Sequence, residues 1–181
     1  MSSTQAAADF RITHRVFLDV EVDGKLLGRI ELGLYGKLVP KTVENFRALC
    51  TGENGVDSDG HRMHYKGTYF NRIKQGVYIS GGDIINEDGK GGHSIYGGTF
   101  PDENFIGRHN KPGILAMVSF GKNSNSSQFY ITVSAAPAMD KRSVVLGEVL
   151  KGMEVVSAIE AMSEESTRLG KRVQIVSSGE L

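Results

Sequence analysis

Two histidines in this 181-residue chain are spaced such that they could bind a metal ion together. His61 and His64 are three residues apart, and imidazoles at such spacings can bind zinc. The only cysteine, Cys50, lies elsewhere in the sequence, and no carboxylate partner is apparent. A solvated loop is therefore the better interpretation, and we predict no metal site.

Other segments resemble parts of ligand-binding or catalytic motifs, but none has the residue spacing that the motif requires. Asp57 and Asp59 precede Gly60 like a fragment of a calcium loop, but the remaining ligand positions are missing. The glycines of residues 76–81 are followed by Gly82, where a phosphate-binding loop needs lysine. No GxGxxG string follows a strand and opens a helix, and no GxSxG elbow occurs. The sequence therefore predicts no cofactor and no nucleophilic catalysis.

Composition excludes two classes of partner. Lysine plus arginine equals aspartate plus glutamate, at 21 each, so the basic excess typical of a nucleic-acid-binding protein is missing. No apolar stretch approaches the length of a membrane span. Residues 1–9 do not resemble a secretory signal, and a single cysteine fits a reducing compartment. We expect a cytoplasmic protein that binds neither nucleic acid nor membrane.

The first elements to be recognised are two strands joined by a tight turn. Apolar residues occupy every second position from Val16 to Val22 and again from Ile30 to Leu34. This period of two is typical of strands with one buried face. Asp23 and Gly24 lie between them and predict a hairpin turn.

The remaining elements complete a mainly β domain. An amphipathic helix is predicted over residues 40–50, with Pro40 at its start and Gly52 beyond its end. A second helix fits residues 153–162, and residues 52–98 are glycine-rich with only brief apolar insertions. Further strands are predicted at residues 113–119, 128–133, 143–150 and 172–177. Many short strands with two helices favour a closed or nearly closed antiparallel barrel with helical lids.

Seven strings of this sequence, in the same order, resemble those of cyclophilins. They are residues 39–53 (VPKTVENFRALCTGE), 65–67 (YKG), 80–83 (SGGD), 91–97 (GGHSIYG), 102–105 (DENF), 112–117 (PGILAM) and 125–129 (NSSQF). The match runs from about Val16 to Leu181. The resemblance implies an eight-stranded antiparallel barrel capped by two α-helices over residues 14–181. We expect residues 1–13 to form a flexible tail. The family activity that it implies is peptidyl-prolyl cis-trans isomerisation.

Isomerising an X-Pro bond needs neither a proton transfer nor a nucleophile. The barrier of about 18–20 kcal/mol comes from amide resonance, which the twisted transition state loses. A catalyst therefore needs an apolar pocket for the proline ring and a hydrogen-bond donor near the prolyl nitrogen. The resemblance assigns the donor to Arg72, in a string that reads Phe-Asn-Arg where relatives commonly read Phe-His-Arg. It assigns Gln128 to orienting the substrate backbone; a surface salt bridge is the alternative role for Arg72.

The resemblance also assigns the rest of the substrate site, where this chain departs from active relatives. The assigned residues are Phe70, Val77, Tyr78, Ser80, Val118, Ser119, Tyr130, Ala138, Met139 and Ser143. Val77 and Ser143 replace a phenylalanine and a histidine, and burying such a ring is worth roughly 1.5–3 kcal/mol. Tyr130 replaces a phenylalanine and brings a hydroxyl that needs a partner if buried. Ser80 replaces a glutamine and is too short to support Arg72.

These departures lead to two hypotheses. The first is an isomerase of proline-containing peptides or proteins, monomeric, with reduced or altered activity. Cyclosporin-type ligands should then bind weakly, because Ala138 cannot supply the indole donor that relatives have there. The second is a non-catalytic module that holds a protein partner through the groove or through residues 54–64. That segment resembles the extended loop of divergent-loop cyclophilins, although a tolerated surface insertion is the simpler interpretation.

Overall fold

A computed structural model of the chain describes residues 7–165 and 168–181. Its helices are α1 (Pro40–Thr51) and α2 (Met153–Glu160), with a short 3-10 helix at Pro137–Met139. Its strands are β1 (His14–Val22), β2 (Lys25–Leu34), β3 (Tyr69–Lys74), β4 (Tyr78–Gly81), β5 (Ile114–Met117), β6 (Phe129–Thr132), β7 (Val145–Lys151), β8 (Ser163–Glu165) and β9 (Arg168–Glu180).

Eight of these strands close into a ring. The hydrogen-bonded order is β1-β2-β7-β5-β6-β4-β3-β9, and β9 pairs with β1 to close it. Every pairing is antiparallel, and the short β8 adds to β9 outside the ring. Closure removes free strand edges, which in an open sheet would be templates for aggregation. The predicted eight-stranded barrel with two helices is confirmed.

The predicted hairpin joins β1 and β2. Val16, Leu18 and Val20 are fully buried, as the alternation indicated. Asp23 and Gly24 both have positive φ, at 48° and 79°. Left-handed conformations at both central residues suit the right-handed twist of the flanking strands.

Helix α1 closes over one part of the barrel, against β1 and β9. Pro40 lies at its first turn, and Val43, Phe46, Leu49 and Cys50 are among its buried residues. The helix ends at Gly52, whose φ of 73° lets its N–H donate to the carbonyl of Ala48 at 2.8 Å. The start and end predicted for this helix agree with the structure.

An aromatic cluster in the core fixes strand β6. The ring of Phe129 lies edge-on to those of Phe46 and Tyr65, with centroids 5.2 Å apart in each pair. The Tyr65 hydroxyl donates to the carbonyl of Ser127 at 2.7 Å. Edge-to-face contacts of this kind are favourable beyond the area that they bury. These core contacts therefore hold the chain around residue 128 in place.

Part of the predicted tail contacts the barrel. Phe10 lies edge-on to Tyr35, with ring centroids 5.5 Å apart. The N–H of Thr13 donates to the carbonyl of Leu34 at 2.9 Å. Residues 1–6 lie outside the described residues, so the domain boundary after residue 13 stays a prediction. In the described part of the chain, the helices are too short and too polar to cross a bilayer.

Candidate active site

A groove runs across strands β3, β4 and β6. Arg72 on β3 pairs with Ser80 on β4, and Ser80 pairs in turn with Tyr130 on β6. Strands β3 and β4 lie within residues 52–98, where the sequence pattern assigned no element. For β3, a register shift between Phe70 and Arg72 explains the omission. The bulge puts the buried Phe70 and Ile73 three residues apart, which breaks the alternation that identifies a strand.

The groove encloses about 440 Å³. Most of the predicted site residues line it: Arg72, Tyr78, Ser80, Val118, Ser119, Gln128, Tyr130, Met139 and Ser143. Five lining residues were not predicted: Asn71, Asp88, Gly89, Lys90 and Phe120. A second cavity, of about 670 Å³, shares Ser119, Met139 and Ser143 with the groove. The two cavities are therefore neighbours, with these three residues between them.

Three predicted site residues do not line the groove. Phe70 is 1% exposed and packs edge-on against Phe129 in the core. Val77 belongs to the turn between β3 and β4, where its N–H donates to the carbonyl of Lys74 at 2.9 Å. Ala138 is exposed on the 3-10 helix Pro137–Met139.

Arg72 presents a free guanidinium to the groove. The side chain is exposed, and the structure records no ion pair or hydrogen bond for it within residues 7–165 and 168–181. Ser80 does not support it, because the Ser80 hydroxyl donates to the carbonyl of Phe129 at 3.1 Å. The five donors of an unpaired guanidinium are available to a ligand.

The floor of the groove contains a buried hydrogen-bonded chain. Tyr130 is 2% exposed, and its hydroxyl lies 2.7 Å from Nε2 of the fully buried His109. Nδ1 of His109 lies 2.9 Å from Oδ1 of Asp140. The carboxylate can only accept, so Nδ1 carries the proton and Nε2 accepts the hydroxyl proton of Tyr130. From the sequence, the Tyr130 hydroxyl is expected to destabilise the fold if it is buried without a partner. In the structure, His109 is that partner.

The buried environment of this hydrogen-bonded chain keeps Tyr130 neutral. Burial raises the pKa of Tyr130 well above its ordinary value, and hydrogen bonding to Ser143 opposes the shift. Backbone hydrogen bonding from His109 lowers the pKa of Asp140, which stays a carboxylate. No spacing along the chain indicates His109 as the partner, because it is 21 residues before Tyr130. The available clue was general: a buried tyrosine hydroxyl requires a partner.

A second aromatic ring adds apolar surface above this floor. The ring of Tyr78 packs on that of Tyr130, with centroids 4.9 Å apart and planes tilted by 37°. Val118 and Met139 line the same space and are partly buried. Together they form a pocket with a polar arginine on one side, a composition typical of small binding sites.

Gln128 forms the opposite wall and is held in one orientation. Its side-chain nitrogen donates to the carbonyl of Gly89 at 3.1 Å and to the carbonyl of Gly91. Only the carboxamide oxygen remains for a ligand. Gln128 can therefore accept a hydrogen bond from a peptide N–H in the groove.

The loop that carries Gly89 and Gly91 is organised by one carboxylate. Asp83 is 1% exposed and accepts five backbone N–H groups, those of Ile85, Asn86, Asp88, Gly89 and Gly91. Burial alone would raise the pKa of Asp83, but these hydrogen bonds outweigh it and lower the pKa. The loop against Gln128 is thus built before any ligand arrives.

Comparison with known proteins assigns this chain to a family. The sequence profile described as cyclophilin type peptidyl-prolyl cis-trans isomerase/CLD matches residues 17–180. The chain is 56% identical over 178 residues to peptidyl-prolyl cis-trans isomerase CYP21-1 of Arabidopsis thaliana, covering 98% of this chain and 80% of that protein. It is 48% and 51% identical to peptidyl-prolyl cis-trans isomerase 9 of Caenorhabditis briggsae and Caenorhabditis elegans. These matches cover 92% of this chain and 54% and 55% of the nematode proteins.

A closed eight-stranded antiparallel barrel with two helices and a groove on its side defines the class of cyclophilin-like proteins. The chain belongs to the cyclophilin-type peptidyl-prolyl cis-trans isomerase family. The predicted family and the predicted class of enzyme, an isomerase of proline-containing substrates, are confirmed. The predicted loss of efficiency stays a prediction.

Proposed function

We propose that the groove between Arg72 and Gln128 is the isomerase site, with Arg72 as its catalytic residue. A proline ring lies on the rings of Tyr130 and Tyr78 and beside Met139. The guanidinium then donates to the prolyl nitrogen as its lone pair localises in the twisted state. This is electrostatic stabilisation by a donor aimed at charge that develops only in the transition state. The observation that carries the proposal is the exposed guanidinium at the edge of an apolar pocket, which has no partner among the described residues.

Gln128 has a positioning role in this proposal. Its nitrogen is committed to the loop carbonyls, so its oxygen accepts an N–H of the bound peptide. That contact holds the backbone on one side of the X-Pro bond while the other side rotates. Holding the reacting bond in one orientation lowers the entropic part of the barrier.

Exchange NMR on a short Ala-Pro peptide tests the assignment. We expect wild type to accelerate the exchange and Arg72→Ala to lower the rate by about 10²–10³-fold, the usual cost of losing one such donor. Lys74→Ala is the matched control, because Lys74 is an exposed cation on the same strand that does not line the groove. Equal activity of Arg72→Ala and wild type would remove Arg72 from the mechanism. If neither protein changes the exchange rate, the non-catalytic module becomes the better description.

The proposal includes reduced efficiency and weak binding of cyclosporin-type ligands. Ser143 lines the groove but has no aromatic ring to pack on a ligand. Ala138 is exposed on the 3-10 helix, next to the lining residue Met139. Ala138→Trp restores an indole at the rim. If that indole is buried by the ligand, affinity should rise about tenfold or more, since burying such a ring is worth roughly 1.5–3 kcal/mol. Calorimetry on both proteins measures this; sub-micromolar affinity in the wild type contradicts the proposal.

We also propose a monomeric protein of the cytoplasm that acts on proline-containing proteins. The single cysteine, buried as a free thiol, supports a reducing compartment. Light scattering across a concentration series measures the oligomeric state, and a mass that rises with concentration would contradict the monomer. Imaging of the tagged full chain in cells tests the compartment.

A further inference from the structure

Three side chains outside the groove converge on one point at the protein surface. Oδ2 of Asp57 lies 3.1 Å from Nδ1 of His61 and 3.0 Å from Nδ1 of His93. The two imidazole rings are edge-on, with centroids 6.3 Å apart. Asp57 and His61 belong to the extended loop of residues 54–64, whereas His93 comes from the segment after the Asp83 loop. We call these three residues the Asp57 cluster.

The Asp57 cluster is held in place by its own backbone. Oδ1 of Asp57 accepts the N–H groups of Asp59 and His61, each at 2.9 Å. This leaves Oδ2 directed at the two imidazoles. A bridge between Val56 and Arg62 closes the loop behind it. The carboxylate is therefore oriented by backbone contacts in the way that metal ligands usually are.

The second histidine is fixed from the barrel side. The N–H of His93 donates to the hydroxyl of Ser127 at 3.2 Å. The Asp57 and His93 side chains are 14% and 21% exposed, and that of His61 is 35% exposed. The cluster is thus partly sheltered but open to an ion from solvent.

The two nitrogen–oxygen distances suit a tetrahedral site, and all three donor atoms lie within 4.8 Å of one another. Zinc binds histidine nitrogen at about 2.0–2.1 Å and carboxylate oxygen at about 2.0–2.2 Å. Neighbouring donors on a tetrahedron with such bonds are about 3.3 Å apart. The nitrogen–oxygen distances in the cluster, 3.0 and 3.1 Å, need to lengthen only by a few tenths of an ångström. Two imidazoles and one carboxylate also form a known three-ligand zinc set that leaves the fourth position to water.

We propose that Asp57, His61 and His93 form a binding site for a divalent transition-metal ion, for which zinc fits the donor set. Each neutral imidazole binds through Nδ1 with its proton on Nε2, and a charged imidazole releases one proton on binding. The site differs from the pairing weighed in the sequence. His64 lies apart from the cluster, with Nε2 3.0 Å from the carbonyl of Cys50. Asp57 is the carboxylate partner that sequence spacing did not reveal.

Calorimetric titration of the tag-free protein with zinc chloride tests the site. We expect saturable binding of one ion per chain with a dissociation constant below about 100 µM. His61→Ala and His93→Ala each remove one ligand from a different segment, and each should weaken binding about 10–100-fold or more. His14→Ala is the matched control, since His14 pairs with Glu180 away from the cluster. It should bind zinc as wild type does.

Two further measurements keep the result interpretable. Thermal unfolding without metal shows whether each variant is folded, and only folded variants are compared. The proton resonances of the His61 and His93 rings should shift together on zinc addition, while those of His14 stay unchanged. No saturable binding by wild type below about 100 µM overturns the proposal. Binding by His61→Ala and His93→Ala that is as tight as in wild type and His14→Ala also overturns it.

Discussion

Replacing Tyr130 with phenylalanine removes a single buried hydroxyl and tests the floor of the groove. The hydroxyl and Nε2 of His109 are 2.7 Å apart, and the two residues are 2% and 0% exposed. The variant loses the hydrogen bond and leaves Nε2 as a buried acceptor that water cannot reach. Because the cost of an unsatisfied buried group dominates, we expect the free energy of unfolding to fall by about 1–3 kcal/mol.

Urea denaturation measures this loss. With a urea dependence of about 2 kcal/mol per molar for a protein of this size, the midpoint should fall by about 0.5–1.5 M. Tyr78→Phe is the matched control, because it removes a hydroxyl from the neighbouring ring. The described structure records no hydrogen bond for that hydroxyl, and the effect should stay within about 0.5 kcal/mol. If Tyr130→Phe is as stable as wild type, the hydroxyl does not satisfy His109 and the reasoning fails.

Three further predictions concern buried polar groups. Asp83→Asn should lower the free energy of unfolding at neutral pH by about 1.5–3 kcal/mol, because the backbone donors lose a charged acceptor. The pKa of Asp83 is lower in the folded protein than in the unfolded chain, so the carboxylate stabilises the fold fully above about pH 4 and less as the pH falls through the folded pKa. A difference in the free energy of unfolding between variant and wild type that is equal at pH 7 and pH 3 contradicts this. Asn45→Ala should cost about 2–3 kcal/mol in urea denaturation, since this fully buried amide bonds the carbonyl of Ser126 and the N–H of Ile95; an unchanged midpoint would be inconsistent with those bonds. Burial raises the pKa of the Cys50 thiol, so a thiol reagent should react only as the protein unfolds; reaction of the native protein at the rate of a free thiol refutes it.

Sequence reasoning located the regular parts of the barrel because their burial follows a simple period. Buried side chains recur at every second position in β1 and in the second half of β2, and helix α1 begins at Pro40 and is followed by Gly52. Strand β3 was missed for a physical reason. Its bulge separates Phe70 and Ile73 by three residues, so no period of two survives.

Much of the groove followed from resemblance, but its supporting contacts did not. His109 contacts Tyr130 from a loop, and Asp140 contacts His109 from another; their separations along the chain follow no helix or strand period. His61 was compared with His64 because they are close in sequence. In the folded chain it instead meets His93, 32 positions further on, through a shared carboxylate. Contacts between loops depend on the closed barrel and are not encoded in local patterns.

The carboxylate of Asp83 also has a consequence for the entropy of ligand binding. Its five backbone hydrogen bonds order residues 85–91 when the chain folds. The conformational freedom of that loop is therefore lost before a peptide arrives, and so is the freedom of the Gln128 side chain bonded to it. A peptide that binds here has to order mainly itself, because one wall of the groove is already rigid. The entropic cost of ordering this wall is therefore not charged against the weak interactions of a short proline segment.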